Sequence, residues 1–434
     1  MLIPGSNQQY SCIDSSFIPQ SIMKTYSLKA SAHPTTNALS KPLSLLQKGF
    51  LGVLSLLIPA LIATGCAKDP IAKKYSSSLA GRTYVAYGSD FHPQDSNIPL
   101  AARIMAITFY NGGLCYTEVN VTPDTPDYYP LGIFATYEYT DGKLSMSSPL
   151  ISAFLSQGEE KITLTIDYDA RADRMTLGFT SPNQEEAPGS ISLKREDRNP
   201  FMGTSWYTQL NIPTVVDGTI YLTSYGTGTL QPLFIVGKGM TIDEMSAQNL
   251  RPGDAVQIFP AAVYAQGERL YMRLLDLVLQ GSYKEGDQEL RIKPQDTEVF
   301  PMPITFIGKR MNQSTKGIEG SLWFEKPTAA NADIKGYFFG AEGKAYVFYH
   351  PYQHMFKILG EYLITHPETM LRAQDANEND AQNQEILDVM RAKVISYSQN
   401  GDRVTLSGEG EDATLQVSWR SGVAERGSSV LVRM

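Results

Sequence analysis

The chain has 434 residues, with 37 Lys and Arg against 45 Asp and Glu, a formal net charge of −8, and 42% hydrophobic residues. Binding a polyanion takes clustered Lys and Arg, and no such cluster stands along this sequence, so a nucleic acid partner is excluded. Three cysteines, Cys12, Cys66 and Cys115, are too few for a disulfide framework.

Residues 1–40 are rich in Ser, Asn, Gln and Pro and read as unstructured, with Met23 an alternative start ahead of Lys24 and Lys29. An uncharged run from Gly49 to Gly65 follows Lys41 and Lys48 and is broken by Pro59. A spanning helix needs about 20 apolar residues. This run is shorter, and it ends on the small residues Ala63, Thr64 and Gly65 before Cys66. Basic, apolar and small segments in that order are those of an export signal, so residues 1–65 are expected to be a cleaved leader.

The stretch LIATGCAKDP, Leu61 to Pro70, resembles a bacterial lipoprotein signal, with Ala63-Thr64-Gly65-Cys66 in the place of the lipobox and Ala63 where leucine is usual. The resemblance implies lipidation of Cys66 after cleavage. Two or three acyl chains, at about 0.8 kcal/mol per buried methylene, make a stable anchor. The expected location is the cell envelope, lipid-anchored at the outer membrane and facing the periplasm or the exterior. Taking the four lysines and one aspartate before residue 66 from the totals leaves 33 basic and 44 acidic residues. Cys115 is then the one remaining free thiol, so the mature chain must rest on its core.

Beyond a linker over 66–78, short alternating runs recur: RTYVAY, KITLTIDY, GTIYLTSY, KAYVFYH and ATLQVSWR. Such alternation puts one face of a strand in a core and the other in water, and the class is all-β. Three segments open alike, LAGRTYVAY, FMGTSWYTQ and IEGSLWFEK, with a glycine followed three places on by a large aromatic. The pairs are Gly81 and Tyr84, Gly203 and Trp206, and Gly320 and Trp323. Each segment also closes on a strand ending in base: Lys194 and Arg195, Lys309 and Arg310, and Arg433. The expected units are β domains over 79–196, 197–312 and 313–434. A glycine lets the chain bend as it enters a sheet, the aromatic plugs the barrel or sandwich, and the closing base can stack on the plug.

Within the first unit, turns are expected at Asn111-Gly112-Gly113, at Asp141-Gly142 and between Asp169 and Asp173; within the third, at Glu342-Gly343 and Asn400-Gly401. These make antiparallel meanders. The second unit carries GKGMTIDEMSAQNLRPGD where its meander should continue. The third carries an acidic insertion over 367–393, in which EILDVMRAK is spaced as a short helix. In this pattern the chain resembles the lipocalin-like lipoproteins of the Bacteroidetes, although true lipocalins separate Gly and Trp by one residue and Gly203 and Trp206 are separated by two. The resemblance implies three tandem antiparallel meander barrels or sandwiches, each hollow around a small ligand or filled with side chains. The expected function is binding of a small apolar or carbohydrate ligand. The alternative is a non-catalytic spacer that meets an envelope protein partner.

Chemistry has little support in the residues. His350 and His354 are four apart, with Glu361 beyond and His366 nearby, but Pro351 breaks any helix there, and an adventitious surface pair is the better reading. Glu159-Glu160 and Glu185-Glu186 sit in polar stretches as solvated charge. Cys115 lies in an alternating strand and reads as buried rather than nucleophilic. No catalytic, cofactor-binding or metal-ligating residue is assigned, and the chain is not expected to be an enzyme.

Overall fold

The alternating runs form antiparallel strands in the computed structural model. It describes residues 69–87, 103–120, 130–147, 163–180, 189–197, 200–212, 216–236, 256–258, 261–266, 268–274, 277–294, 305–311, 314–327, 333–351, 353–354, 391–408 and 410–434. The first sheet contains β1 (Thr83–Tyr87), β2 (Arg103–Phe109), β3 (Leu114–Asn120), β4 (Pro130–Thr140), β5 (Lys143–Ser147), β6 (Thr163–Asp169), β7 (Arg174–Thr180) and β8 (Gly189–Glu196). Its order is β5-β4-β3-β2-β1-β8-β7-β6, so the last strand returns beside the first and the rest is a meander. Left-handed backbone marks the turns, with Gly112 and Gly113 between β2 and β3, Asp141 and Gly142 between β4 and β5, and Asp173 before β7. These are residues that adopt positive φ at least cost.

The second sheet contains β9 (Ser205–Ile212), β10 (Val216–Tyr225), β11 (Thr229–Val236), β12 (Val256–Ile258), β13 (Ala261–Gln266), β14 (Arg269–Leu274), β15 (Leu277–Ser282), β16 (Glu289–Pro294) and β17 (Phe306–Arg310). Both β12 and β13 pair with β11, at successive positions, and act as one broken strand. Eight positions therefore run around the ring, and β17 closes it on β9. The third sheet contains β18 (Leu322–Glu325), β19 (Lys335–Phe339), β20 (Lys344–Tyr349), β21 (Arg391–Asn400), β22 (Arg403–Ser407), β23 (Ala413–Ser418), β24 (Val423–Arg426) and β25 (Ser429–Arg433), with β25 closing on β18. A short ladder from β12 to β21 makes the second and third rings one hydrogen-bonded network. The fold is all-β, in three antiparallel barrel-like meanders; the second and third close into rings, and the first is nearly closed, with β5 and β6 as the edges of its sheet.

Each barrel has its own packed interior. Tyr84, Phe109, Cys115 and Met175 fill the first; Phe201, Trp206, Leu270 and Leu290 fill the second; Trp323, Tyr337, Phe339 and Leu415 fill the third. A fourth cluster lies outside all three. It gathers Tyr116 and Phe134 from the first barrel, Tyr221 and Tyr225 from the second, and Phe324, Phe338, Tyr346 and Phe348 from the third. The barrels are thus joined across a shared aromatic core within one unit, Lys68–Met434, and are not beads on a string.

Three local expectations are corrected. Half of the 66–78 linker is a helix, α1 (Pro70–Tyr75), because Asp69 accepts the N–H of Ala72 and Pro70 is pre-set for the first turn. It docks on the third barrel through Ser418 Oγ to Asp69 Oδ2 at 2.6 Å and Lys74 Nζ to Glu425 at 2.9 Å. The helix expected over EILDVMRAK fails at its end, where Arg391 to Lys393 open β21, since Ala392 is taken into the β12 ladder and the shared core. The turn expected at Asn400-Gly401 falls one residue on, because Asn400 still pairs with Arg403 and Gly401 takes the positive φ.

Candidate functional site

Each repeat-opening motif is one backbone device built three times. Gly81, Gly203 and Gly320 have φ of 80°, 81° and 74°, and their N–H groups donate to Phe109 O, Ser224 O and Phe339 O at 2.8, 2.8 and 2.7 Å. The left-handed turn delivers the aromatic three residues on into the barrel, and Tyr84, Trp206 and Trp323 are completely buried. In the second and third copies the indole N–H is satisfied by a hydroxyl two residues before it, Thr204 for Trp206 and Ser321 for Trp323. Register then sets a closing arginine directly opposite each aromatic: Arg195 to Tyr84, Arg310 to Trp206 and Arg433 to Trp323. The Arg310 guanidinium lies over the Trp206 ring at 5.9 Å. These six glycine and aromatic positions hold the architecture in three separate places and do not converge on one site. Cys66, the acidic pairs 159–160 and 185–186, the 237–254 stretch, Glu361, His366 and residues 1–65 lie outside the described residues.

Carboxylates close the ends of two barrels. Asp173 accepts from Tyr84 Oη at 2.6 Å and from Arg195 and Arg82 at 2.7 and 3.1 Å. Burial pushes its carboxyl up, but these donors outweigh burial and hold it at about 2. In the third barrel Glu411, largely buried, takes Lys335 at 2.6 Å, Arg426 at 2.9 Å and Tyr337 Oη at 3.2 Å. Here too burial raises the carboxyl while Lys335 and Arg426 bring it below its ordinary value. Such saturated, ion-paired carboxylates stabilise a fold and are poorly placed to accept a substrate proton.

His350, expected at the surface, is fully buried at the junction of the barrels. The physical reason is that β18, β19 and β20 bury both faces, so the chain leaving β20 enters the shared core and not water. The imidazole sits among Phe134, Phe324, Tyr116 and Tyr225, with ring centroids 5.0 to 6.2 Å away. Its Nδ1 accepts the Gln353 N–H at 3.4 Å, which puts the proton of the neutral ring on Nε2, 3.0 Å from Tyr225 Oη. Burial lowers its pKa to about 3. His354, on the helical turn beyond, instead stacks on Tyr349 and pairs with Asp333 at 2.8 Å. The two imidazoles therefore have different partners. Cys115 is buried, its Sγ 3.4 Å from Ala135 O, and burial pushes the thiol up, away from the reactive thiolate.

Two further polar contacts span the junction. Glu118 on β3 accepts the Thr227 and Gly228 N–H groups, both at 2.8 Å, and the Thr227 hydroxyl at 2.6 Å, holding the β10–β11 turn of the second barrel. Asn111 in the first barrel accepts Ser77 N–H and donates to Ser421 O at 2.7 Å in the third. Sequence reasoning misses both, because a single acid or amide in a strand or turn carries no signal of what it will meet. The junction does leave one sequence signal, the aromatic run Tyr337-Phe338-Phe339, whose lack of alternation marks a strand buried on both faces.

An open depression of about 450 Å³ lies on the outside of the second barrel, across β14, β15 and β16. Together these features define an assembly of barrels with filled interiors, a shared core and a basic outer hollow. The sequence matches no protein-family model, and no curated protein matches it.

Proposed function

We propose that this chain is an exported, lipid-anchored and non-catalytic scaffold of the cell envelope, one that presents its outer faces to partners. The observation that carries this reading is the shared aromatic core. Three barrels with occupied interiors are joined through large buried rings, an arrangement that favours rigid display of outer surfaces over a ligand held inside any one barrel. The anchor rests on the resemblance of Ala63 to Cys66 to a lipobox. Full-length chain and Cys66→Ser, expressed in a diderm bacterium with radiolabelled palmitate and an in-cell crosslinker, test both parts. Label in the wild type, release of the variant from membranes and a stoichiometric crosslinked protein are expected. Equal fractionation without label removes the anchor; labelled protein that never crosslinks to a partner removes the scaffold.

A further inference from the structure

The depression on the second barrel stands apart from the anchor and from the shared core, since one outer sheet face builds it. Alternate residues of neighbouring strands form two rows across that face. In the first, Arg269 on β14 is opposite Ser282 on β15, and Ser282 is opposite Arg291 on β16. In the second, Tyr271, Gln280 and Lys293 stand in the same order. The inward-facing neighbours Leu270 and Ile292 belong to the barrel core. Strands lie about 4.8 Å apart and alternate residues about 7 Å apart along a strand. The two arginines therefore flank a small hydroxyl at about 10 Å from one another, and a tyrosine, an amide and a lysine lie one step further along.

No carboxylate lines the hollow, although the chain carries more acid than base. Glu289, two residues before Arg291, reaches that guanidinium at 3.4 Å from the rim. Among the described residues, Arg269 and Lys293 have no ion-pair partner. Three cations facing one hollow repel each other unless an anion sits among them. Gly281, opposite Leu270 and Ile292, shares their inward side, where a Cβ would come within 2.8 Å of Arg291 O. Thr305 and the half-exposed Ile307, which is opposite Arg291 on β17, bound the far side. A flat anionic surface would meet cations at the rim of such a concavity and leave its polar floor unused.

We infer that this hollow binds an acidic oligosaccharide, with a carboxylate or sulfate seated between Arg269 and Arg291 over Ser282 and the adjoining sugar ring on Tyr271, Gln280 and Lys293. Guanidinium groups suit planar or tetrahedral oxyanions, an aromatic ring suits the apolar face of a pyranose, and amide and hydroxyl groups suit its hydroxyls. The basic character is hidden in the sequence because the three cations come from two strands 22 residues or more apart and meet only through register.

The test is calorimetric titration of the full ectodomain with trigalacturonate and with a sulfated heparin-derived tetrasaccharide, beside maltotriose and inorganic phosphate, at low salt. At least one acidic saccharide is expected to bind saturably, with maltotriose and phosphate at least tenfold weaker. Arg269→Gln with Arg291→Gln is expected to weaken it by about a hundredfold, roughly tenfold for each guanidinium removed. Tyr271→Ala should weaken the saccharide in titrations made well below that variant's own thermal midpoint. Neither acidic saccharide binding, phosphate binding as tightly as the saccharide, or an unaltered affinity in the double variant would overturn the inference. So would arginine-dependent capture by phosphatidylglycerol vesicles with no saccharide binding, which would assign the face to a membrane.

Discussion

Asp173 shows how much a single side chain contributes when a turn places it well. It follows a two-strand turn, adopts a φ of 48°, and so aims its carboxylate back over the barrel end at Tyr84, Arg82 and Arg195. A folded pKa of about 2 lies below the ordinary carboxylate value of about 3.9. The unfolded chain therefore takes up the proton first as pH falls. The stabilisation is complete above about pH 4 and is lost by about pH 2, and amounts to about 2 kcal/mol for a side chain 28% exposed. Asp173→Asn should lower stability at pH 7 by that order, as urea unfolding would measure, and should flatten the acid limb between pH 4 and 2. An unchanged limb would mean that the arginines are held by other groups. Tyr84 is legible in the sequence as a plug, through its spacing from Gly81. That the phenol would need an acid is not legible there, because Asp173 lies 89 residues away and arrives by topology.

At the scale of elements, the strap from β3 to the β10–β11 turn is the most exacting contact. Glu118 is buried and satisfies two backbone N–H groups and a hydroxyl of the neighbouring barrel. Removing the carboxylate leaves those donors without a partner, at a cost of about 1–3 kcal/mol for each that water cannot reach. Glu118→Ala is expected to lose about 2–4 kcal/mol in all. Amide exchange should quicken at least tenfold at Thr227 and Gly228, with the first barrel's own ladder protected as before. Exchange unaltered at those two amides would show that the turn holds itself. Turns and strands are the readable part of this molecule, since positive φ favours Gly, Asn or Asp, with Glu342 the exception at φ 58°, and period-two alternation favours a strand. Structure and sequence part where tertiary contact overrides the local pattern. Alternation over KAYVFYH gives β20 one wet face, yet its four central residues are all buried, and Arg391 and Ala392 carry helical spacing yet are drawn into a ladder with β12.

For the whole molecule, the decisive feature is that His350 stands where the three barrels meet, and its chemistry makes their union sensitive to acid. Its ring is neutral with a folded pKa of about 3, because burial among aromatic rings disfavours the cation. An exposed histidine in the unfolded chain titrates near 6.5. Between these values the unfolded state binds one more proton than the folded state, so stability present above about pH 6.5 falls by about 1.4 kcal/mol per pH unit down to about pH 3. The rings around His350 belong to the first, second and third barrels, so protonation strains the junction before it strains any barrel interior. His350→Gln keeps an amide donor for Tyr225 and removes the titration. Urea unfolding of the two proteins between pH 7 and 4 should give a steeper pH dependence for the wild type. X-ray scattering at pH 4 should show the wild type expanding ahead of the loss of β-sheet signal in circular dichroism. Parallel slopes for the two proteins would assign the acid sensitivity to the surface carboxylates instead, and the junction would then be held by packing alone.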